Sequence, residues 1–304
     1  MNRLTQEESR NGSLFLHGFC AAGLAVVALA CGGSVAHADG VSGLWTTGHG
    51  DLSVVYSGTG STFGFEVHLK QNAVVGGTTI TGSNGEHGEP DAIQINVPVA
   101  ANLKRIDNPT GFFEGAAEGY DFTGTDFNAT GAAVGANLWM LGGSADAAHY
   151  GTPFVGLSAE EVAGTWNPNS ISLMLGTVAF DGSAYGTTGG VFSFYDDSTL
   201  RAKWSSQSEF PQQSVLLTPG AGHTHGLMFF SQPGTYQVTL LASGTLAEGG
   251  GPVTGSAVYT FQVVPEPSSM ALAGLGVAGA LAAGWRRRRR QAAAAKSAFA
   301  ETAR

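Results

Sequence analysis

Three pairs of potential metal ligands in this chain share one spacing: His223-x-His225, His49-x-Asp51 and Glu66-x-His68. Successive side chains of a β-strand point to opposite faces, so each pair would present both of its side chains on one face. Imidazole and carboxylate groups are ligands for zinc. The spacing therefore predicts a zinc site among these residues. Six candidates exceed the four ligands of a closed zinc site, so some of them would instead orient the ligands.

Other interpretations of these side chains stay open. A histidine can lie on an exposed loop or bond to the backbone without binding metal, and the isolated His87 and His149 are interpreted in that way. Residues 78–91 and 111–135 are rich in glycine and carry acidic side chains, which predicts solvated loops, with a weak calcium site as the alternative.

Catalysis is not expected from this sequence. It contains no Gly-x-Ser-x-Gly nucleophile elbow and no His-Glu-x-x-His helix. A metal-dependent hydrolase is a third hypothesis, in which Glu66 would act as general base beside an open metal position.

The His-x-His pair belongs to a strand–turn–strand pattern over residues 222–240. Pro233-Gly234 marks a turn, and Tyr236, Val238 and Leu240 then alternate with polar residues, as in a half-buried strand. We expect a strand that carries His223 and His225, a tight turn and a returning strand.

This pattern resembles the bacterial choice-of-anchor M domain, a surface-anchored repeat domain with a His-x-His, an aromatic residue, a Pro-Gly turn and a Tyr-containing strand. Met228 departs from the family, which more often has Trp there. The resemblance places His49, Asp51, His223 and His225 on motif positions. Its pieces follow the family's order over about residues 45–246: residues 48–51, Trp139-Met140-Leu141, residues 191–195, His223, His225, Phe229 or Phe230, Pro233-Gly234 and Tyr236.

Residues 1–38 read as a secretory signal peptide. Arg3 and Arg10 precede an apolar run over residues 14–30, and Ala36-His37-Ala38 offers the small-x-small pattern that signal peptidase cleaves. A transmembrane helix or a lipoprotein anchored at Cys31 are the alternatives. Both cysteines, Cys20 and Cys31, precede this cleavage site, so the mature chain would contain no disulfide.

The other end carries a second targeting signal over residues 264–290, followed by a tail over 291–304. An apolar run of 16 residues (270–285) precedes five arginines, which predicts a short transmembrane helix with a positive-inside stop. The order resembles the PEP-CTERM sorting signal, although the tail is longer than usual. The residues that carry this resemblance are Pro265, Glu266, Pro267, Arg286, Arg287 and Arg288.

The sorting resemblance implies export across the inner membrane of a Gram-negative bacterium that makes exopolysaccharide. Signal peptidase and an exosortase would act as partners, and the protein would reach the cell surface or extracellular matrix after transient membrane anchoring. Chains that combine both resemblances look like a group repressed by the zinc-uptake regulator, which implies a role in zinc homeostasis.

Residues 39–263 are expected to form one domain. Short alternating runs separated by Gly-rich turns predict an all-β fold, an antiparallel β-sandwich of immunoglobulin-like or jelly-roll-like type. One helix start is predicted, at Ser158 with Glu161 three residues later.

The charge of this region also limits its partners. Residues 39–266 carry 20 acidic and 5 basic side chains, a difference of −15 that disfavours nucleic acid. An alternative function is a structural or glycan-binding matrix component, in which Trp45, Trp139, Trp166 and Trp204 would stack on sugars or else lie in the core.

Overall fold

The computed structural model describes residues 40–105, 113–114, 124–220, 222–247, 249–265, 281 and 284–287. These residues belong to one compact unit, Ser34–Arg304. The predicted signal peptide and the tail over residues 291–304 lie outside the described residues, so the predicted domain boundaries stay predictions.

Within the described residues, the secondary structure is mostly β. The strands are β1 (Gly43–Val55), β2 (Gly64–Leu69), β3 (Val74–Val75), β4 (Thr78–Thr79), β5 (Glu86–Gly88), β6 (Ile93–Val97), β7 (Asn102–Arg105), β8 (Phe113–Glu114), β9 (Asn137–Leu141), β10 (Pro153–Ser158), β11 (Ile171–Asp181), β12 (Phe192–Asp196), β13 (Ala202–Ser205), β14 (Val215–Leu217), β15 (His223–Phe230), β16 (Gly234–Thr245) and β17 (Pro252–Val263). The helix α1 spans Ser144–Tyr150, and short 3-10 helices span Val99–Ala101, Gly124–Thr130 and Ser183–Tyr185.

All of these strands belong to one curled sheet, which has three segments. The first segment has the order β4-β3-β1-β6-β17-β16-β11-β14. The second has the order β5-β2-β1-β10-β15, and the third has the order β13-β12-β15-β9-β7-β8. β1 is shared by the first and second segments and β15 by the second and third, so these two long strands carry the sheet around the core.

The predicted all-β fold class is confirmed, with one difference in detail. Most neighbouring strands are antiparallel, but β1–β10, β1–β6 and β6–β17 are parallel. Parallel neighbours need long connections, and these partners are indeed far apart in the sequence. Local alternation predicts strands but carries no information about such distant pairing.

The main hydrophobic core is enclosed by the curled sheet and contains residues from all three segments. Val67, Phe192, Phe230, Tyr236 and Phe261 are among its buried side chains. A smaller cluster, which includes Leu138, Met140 and Phe229, packs on the other face of the third segment. Trp45, Trp139, Trp166 and Trp204 are all buried, so these tryptophans form core and offer no sugar-stacking face.

The predicted strand–turn–strand over residues 222–240 is present, but its two strands do not pair with each other. β15 pairs with β10, β12 and β9, whereas β16 pairs with β11 and β17. The turn therefore carries the chain from one side of the core to the other. The Tyr236 hydroxyl accepts a hydrogen bond from Gln232 N and donates one to Gln232 O, which fixes the turn.

Three local predictions were wrong. Residues 158–162 are not helical: Ser158 ends β10 and pairs with Ser53 and His223, so sheet pairing overrides the local capping pattern. Residues 78–91, predicted as a solvated loop, contain β4 and also β5, which lies on the edge of the second segment. Residues 111–135, predicted in the same way, contain β8 and the 3-10 helix Gly124–Thr130, in which Phe127, Ala129 and Thr130 are buried. The short helix α1 was not predicted.

Little of the sorting region is described. Of the predicted apolar helix over residues 270–285, the described residues are Leu281, Gly284 and Trp285, all helical. No helix within the described part of the chain has the length and apolar character needed to cross a membrane. Glu266, Pro267 and Arg288 lie outside the described residues, as does Asp121 of the predicted loop over 111–135.

Candidate metal centre

The predicted ligands meet on one face of the second segment. The register places His87, His68, Asp51, Gly156 and His225 in a single row across β5, β2, β1, β10 and β15. With strands about 4.8 Å apart, this row spans about 19 Å.

The adjacent row on the same face supplies further ligands. It contains Glu66, Ser53, Ser158 and His223. The opposite face carries Leu52, Val67 and Leu157, which pack into the core. Strand alternation thus separates an apolar inner face from a polar outer face.

Gly156 leaves space for the Asp51 side chain at the centre of this polar face. A Cβ at this position would lie 2.1 Å from Asp51 Oδ1 and 3.2 Å from His225 Cε1. The Asp51 side chain therefore occupies the space that any side chain at position 156 would need. Beside it, the His225 ring stacks on Phe154 with ring centroids 4.0 Å apart.

Three imidazoles converge at one end of the row. His49, His223 and His225 each offer a nitrogen, and these atoms lie within 4.8 Å of one another. Tetrahedral zinc holds its nitrogen ligands about 3.3 Å apart, so modest ring movements would bring the three into ligating positions. We call this group the three-histidine cluster.

Two nitrogens of the three-histidine cluster lack hydrogen-bond partners. His49 Nε2 and His225 Nδ1 are buried and have no hydrogen-bond partner of good geometry. Burial, with the nearby His223 and His49, lowers the pKa of His225 to about 4, so its ring is neutral at neutral pH. A neutral imidazole has the free lone pair that a metal requires. The donor set therefore fits zinc.

Carboxylates orient this cluster. Asp51 Oδ1 lies 3.3 Å from His49 Nε2, and the Glu160 Oε1 atom lies 3.1 Å from His223 Nδ1. When His223 Nδ1 carries the hydrogen, it donates to Glu160 and leaves Nε2 for a metal. Burial acts to raise the pKa of Asp51, but close contact with His49 and the charges of His223 and Lys70 outweigh it and lower that pKa.

Lys70 supplies a positive charge at the middle of the polar face. Its Nζ atom lies 2.6 Å from Glu160 Oε2, 3.3 Å from Asp51 Oδ2 and 3.3 Å from His68 Nδ1. Burial acts to lower the pKa of Lys70, but these carboxylates raise it overall. The ammonium group thus occupies the space between Asp51, His68 and Glu160.

Beyond Lys70 lies a second group of ligands, which we call the edge cluster: Glu66, His68, His87 and Glu161. The sequence-predicted site residues are thus split. His49, His223 and His225 lie together with Asp51 beside them, whereas Glu66 and His68 lie in the edge cluster. Burial raises the pKa of Glu66 above its ordinary value, although His87 acts in the opposite direction.

Sequence reasoning missed four residues of this face. The isolation of His87 in the sequence predicts a loop position, the spacing from Ser158 predicts a helix start at Glu160 and Glu161, and none of the three ligand pairs includes Lys70. Lys70 directly follows β2 and continues the i, i+2 spacing of Glu66 and His68, so this spacing could have identified it. The position of the turn that carries Glu160 and Glu161 depends on the pairing of β10.

Comparison with known families gave one match: residues 263–289 match the PEP-CTERM protein-sorting motif. The chain therefore carries a sorting motif that implies exosortase-dependent export to the cell surface or outside. Comparisons with curated proteins and with solved structures gave no match.

Proposed function

We propose that this exported protein binds a divalent metal ion, zinc before other metals, at His49, His223 and His225. Asp51 completes the site as a fourth ligand or as the group that orients His49. The protein acts by binding the metal and is not an enzyme. Bound zinc would link β1 to β15 across the intervening β10 of the second segment.

The observation that carries this proposal is the convergence of three imidazoles, two of which bury a nitrogen that has no hydrogen-bond partner of good geometry. Buried polar atoms without partners are rare in folded proteins, since each costs about 1–3 kcal/mol. A cation at this point would satisfy His49 Nε2 and His225 Nδ1 together. The excess of acidic over basic residues between positions 39 and 266 also favours the binding of cations over anions.

The sorting motif gives the place where such binding would act. At the surface or in the exopolysaccharide matrix of a Gram-negative cell, the domain would hold zinc for acquisition or storage. The resemblance to choice-of-anchor M domains and to proteins repressed by the zinc-uptake regulator supports this role. Signal peptidase would remove residues 1–38 and an exosortase would process the other end.

Metal content and zinc affinity of the purified full chain test the proposal. We expect the double variant His223→Ala/His225→Ala to lose one equivalent of zinc relative to the parent protein. His149→Ala is the matched control, because His149 is an exposed histidine on α1, outside both clusters. Circular dichroism and thermal unfolding in chelator establish that each variant folds.

An equal zinc content in the folded double variant and the parent would overturn the proposal. The histidines would then serve the architecture of the second segment, and a structural role in the matrix would be the better account.

A further inference from the structure

The edge cluster has its own complete set of potential ligands. Glu66 and His68 lie on β2, His87 lies on the neighbouring β5, and Glu161 comes from the turn after β10. One ligand atom from each lies within 4.8 Å of the others. The four residues come from three separate parts of the chain, so the fold and not the local sequence creates this group.

The tautomer of His68 directs a nitrogen lone pair toward Lys70 and Glu161. His68 Nε2 lies 3.0 Å from the backbone oxygen of Asn84, to which only a protonated nitrogen can donate. The lone pair is therefore on Nδ1, which accepts a hydrogen bond from Lys70 Nζ at 3.3 Å and lies 3.8 Å from Glu161 Oε1. A metal ion bound to Nδ1 would take the place of that hydrogen bond. The same Glu161 oxygen lies 3.6 Å from His87 Nε2, and the two imidazole rings are stacked 4.5 Å apart.

Glu66 provides a second, independent indication of a ligand. Its side chain is only 5 % exposed. Oε1 contacts His87 Nδ1 at 2.7 Å, whereas Oε2 is buried and has no hydrogen-bond partner. A buried carboxylate oxygen with nothing to accept from is costly, and a cation would satisfy it.

Lys70 separates the edge cluster from the three-histidine cluster. Its ammonium group already contacts Asp51, Glu160 and His68, which form the only potential ligand group between the two clusters in the described residues. A metal ion in that middle position would have to displace a lysine held by two carboxylates. The polar face is therefore arranged as two cation positions on either side of a fixed ammonium.

We propose that Glu66, His68, His87 and Glu161 form a second site for a divalent transition-metal ion, separate from the three-histidine cluster. Two imidazoles and two carboxylates give it a harder ligand set, which suits Zn²⁺ and also tolerates Mn²⁺. The three-histidine cluster, richer in nitrogen, favours Zn²⁺ more strongly. The chain would thus bind two metal ions on one face.

Metal titration of the full chain, stripped by chelator and purified in mild detergent, tests this second site. We expect the parent protein to bind two equivalents of Zn²⁺ and His87→Ala/Glu161→Gln to bind one. Both substituted side chains are about one-third exposed, at 32 % and 35 %, so the fold should tolerate the change. Glu66→Gln, which keeps the shape of the buried side chain, should also lose one equivalent.

The variants also separate this proposal from the first one. His223→Ala/His225→Ala should retain the equivalent bound at the edge cluster, and His149→Ala should retain both. A second site is overturned if the folded parent and both edge-cluster variants bind equal amounts of Zn²⁺. If only the edge-cluster variants lose metal, the second site stands and the three-histidine proposal fails.

Discussion

At the scale of single residues, the absence of a side chain at position 156 is as important as the presence of the histidines. Gly156 lies between Asp51 and His225 in the row across the second segment. Asp51 is fully buried, so its carboxylate cannot move out into solvent if a side chain at position 156 fills the space that it occupies. The glycine thereby allows a buried carboxylate to lie beside the imidazoles and orient them.

Gly156→Ala should therefore disturb both stability and metal binding. The added methyl would meet Asp51 Oδ1 at 2.1 Å. Overpacking of this kind costs about 1–3 kcal/mol in the free energy of unfolding. Loss of an orienting carboxylate lowers metal affinity about 10- to 100-fold. Urea unfolding and zinc competition with a chromophoric chelator measure the two effects.

Gly251→Ala is the matched control, because a Cβ at position 251 would meet nothing within 4 Å. We expect this variant to match the parent in both measurements. If Gly156→Ala also matched the parent, Asp51 would have no orienting role.

At the scale of elements, strand alternation predicted which ligands share a face of one strand. Strand pairing decided which of these pairs lie beside each other. The i, i+2 spacing of His49 with Asp51 and of His223 with His225 correctly placed each pair on one face of a strand. The two pairs lie close together because β10 lies between β1 and β15. β10 is parallel to β1 and antiparallel to β15. No local pattern encodes the register of these pairings, whose partners lie far apart in the sequence.

The same limit explains the residues that sequence reasoning missed. Glu161 fits a capping box by its spacing from Ser158, yet Ser158 is already paired on both sides within the sheet. His87 is isolated in the sequence and acquires a partner only because β5 pairs with β2. Local spacing thus identifies ligands on one strand, whereas ligands from neighbouring strands require the fold.

The turn between β12 and β13 provides a pH-dependent element away from the metal face. Asp196 Oδ1 accepts hydrogen bonds from the backbone nitrogens of Ser198 and Thr199 and from both hydroxyls. Burial acts to raise the pKa of Asp196, but these hydrogen bonds and Lys203 lower it overall. A lowered carboxylate pKa stabilises the fold above the unfolded-state pKa, and this stability is lost as pH falls through the folded-state value.

Asp196→Asn should therefore lower the free energy of unfolding near pH 7 by about 0.5–1 kcal/mol, because it weakens charge-assisted hydrogen bonds. The difference from the parent should shrink as pH falls below about 4, because the carboxyl group of the unfolded chain becomes protonated there, whereas Asp196 in the folded chain becomes protonated only at lower pH. Urea unfolding at several pH values measures it, with the exposed Asp91→Asn as control. A difference that stays constant down to pH 3 would contradict the role of the Asp196 charge.

At the scale of the whole molecule, the sorting motif begins where the folded body ends. β17 ends at Val263, and the next residue is still held by the body: Val264 N donates to Val97 O, and Val264 O accepts from Trp139 Nε1. Pro265 follows directly and opens the Pro-Glu-Pro sequence, within the matched residues 263–289. The folded domain and the Pro-Glu-Pro sequence are thus adjacent in the chain, and the described contacts that end the fold are made by Val264.

This arrangement predicts that sorting can be abolished without loss of the fold or of metal binding. Replacing Pro265, Glu266 and Pro267 together with alanine leaves the Val264 backbone contacts possible, so the free energy of unfolding should stay within about 0.5 kcal/mol of the parent. Export to the surface should fall severalfold, and the chain should accumulate in the membrane fraction. Cell fractionation and protease accessibility measure this, and Lys296→Ala, beyond the matched residues, is the control. Normal surface exposure of the triple variant would show that export proceeds independently of the motif.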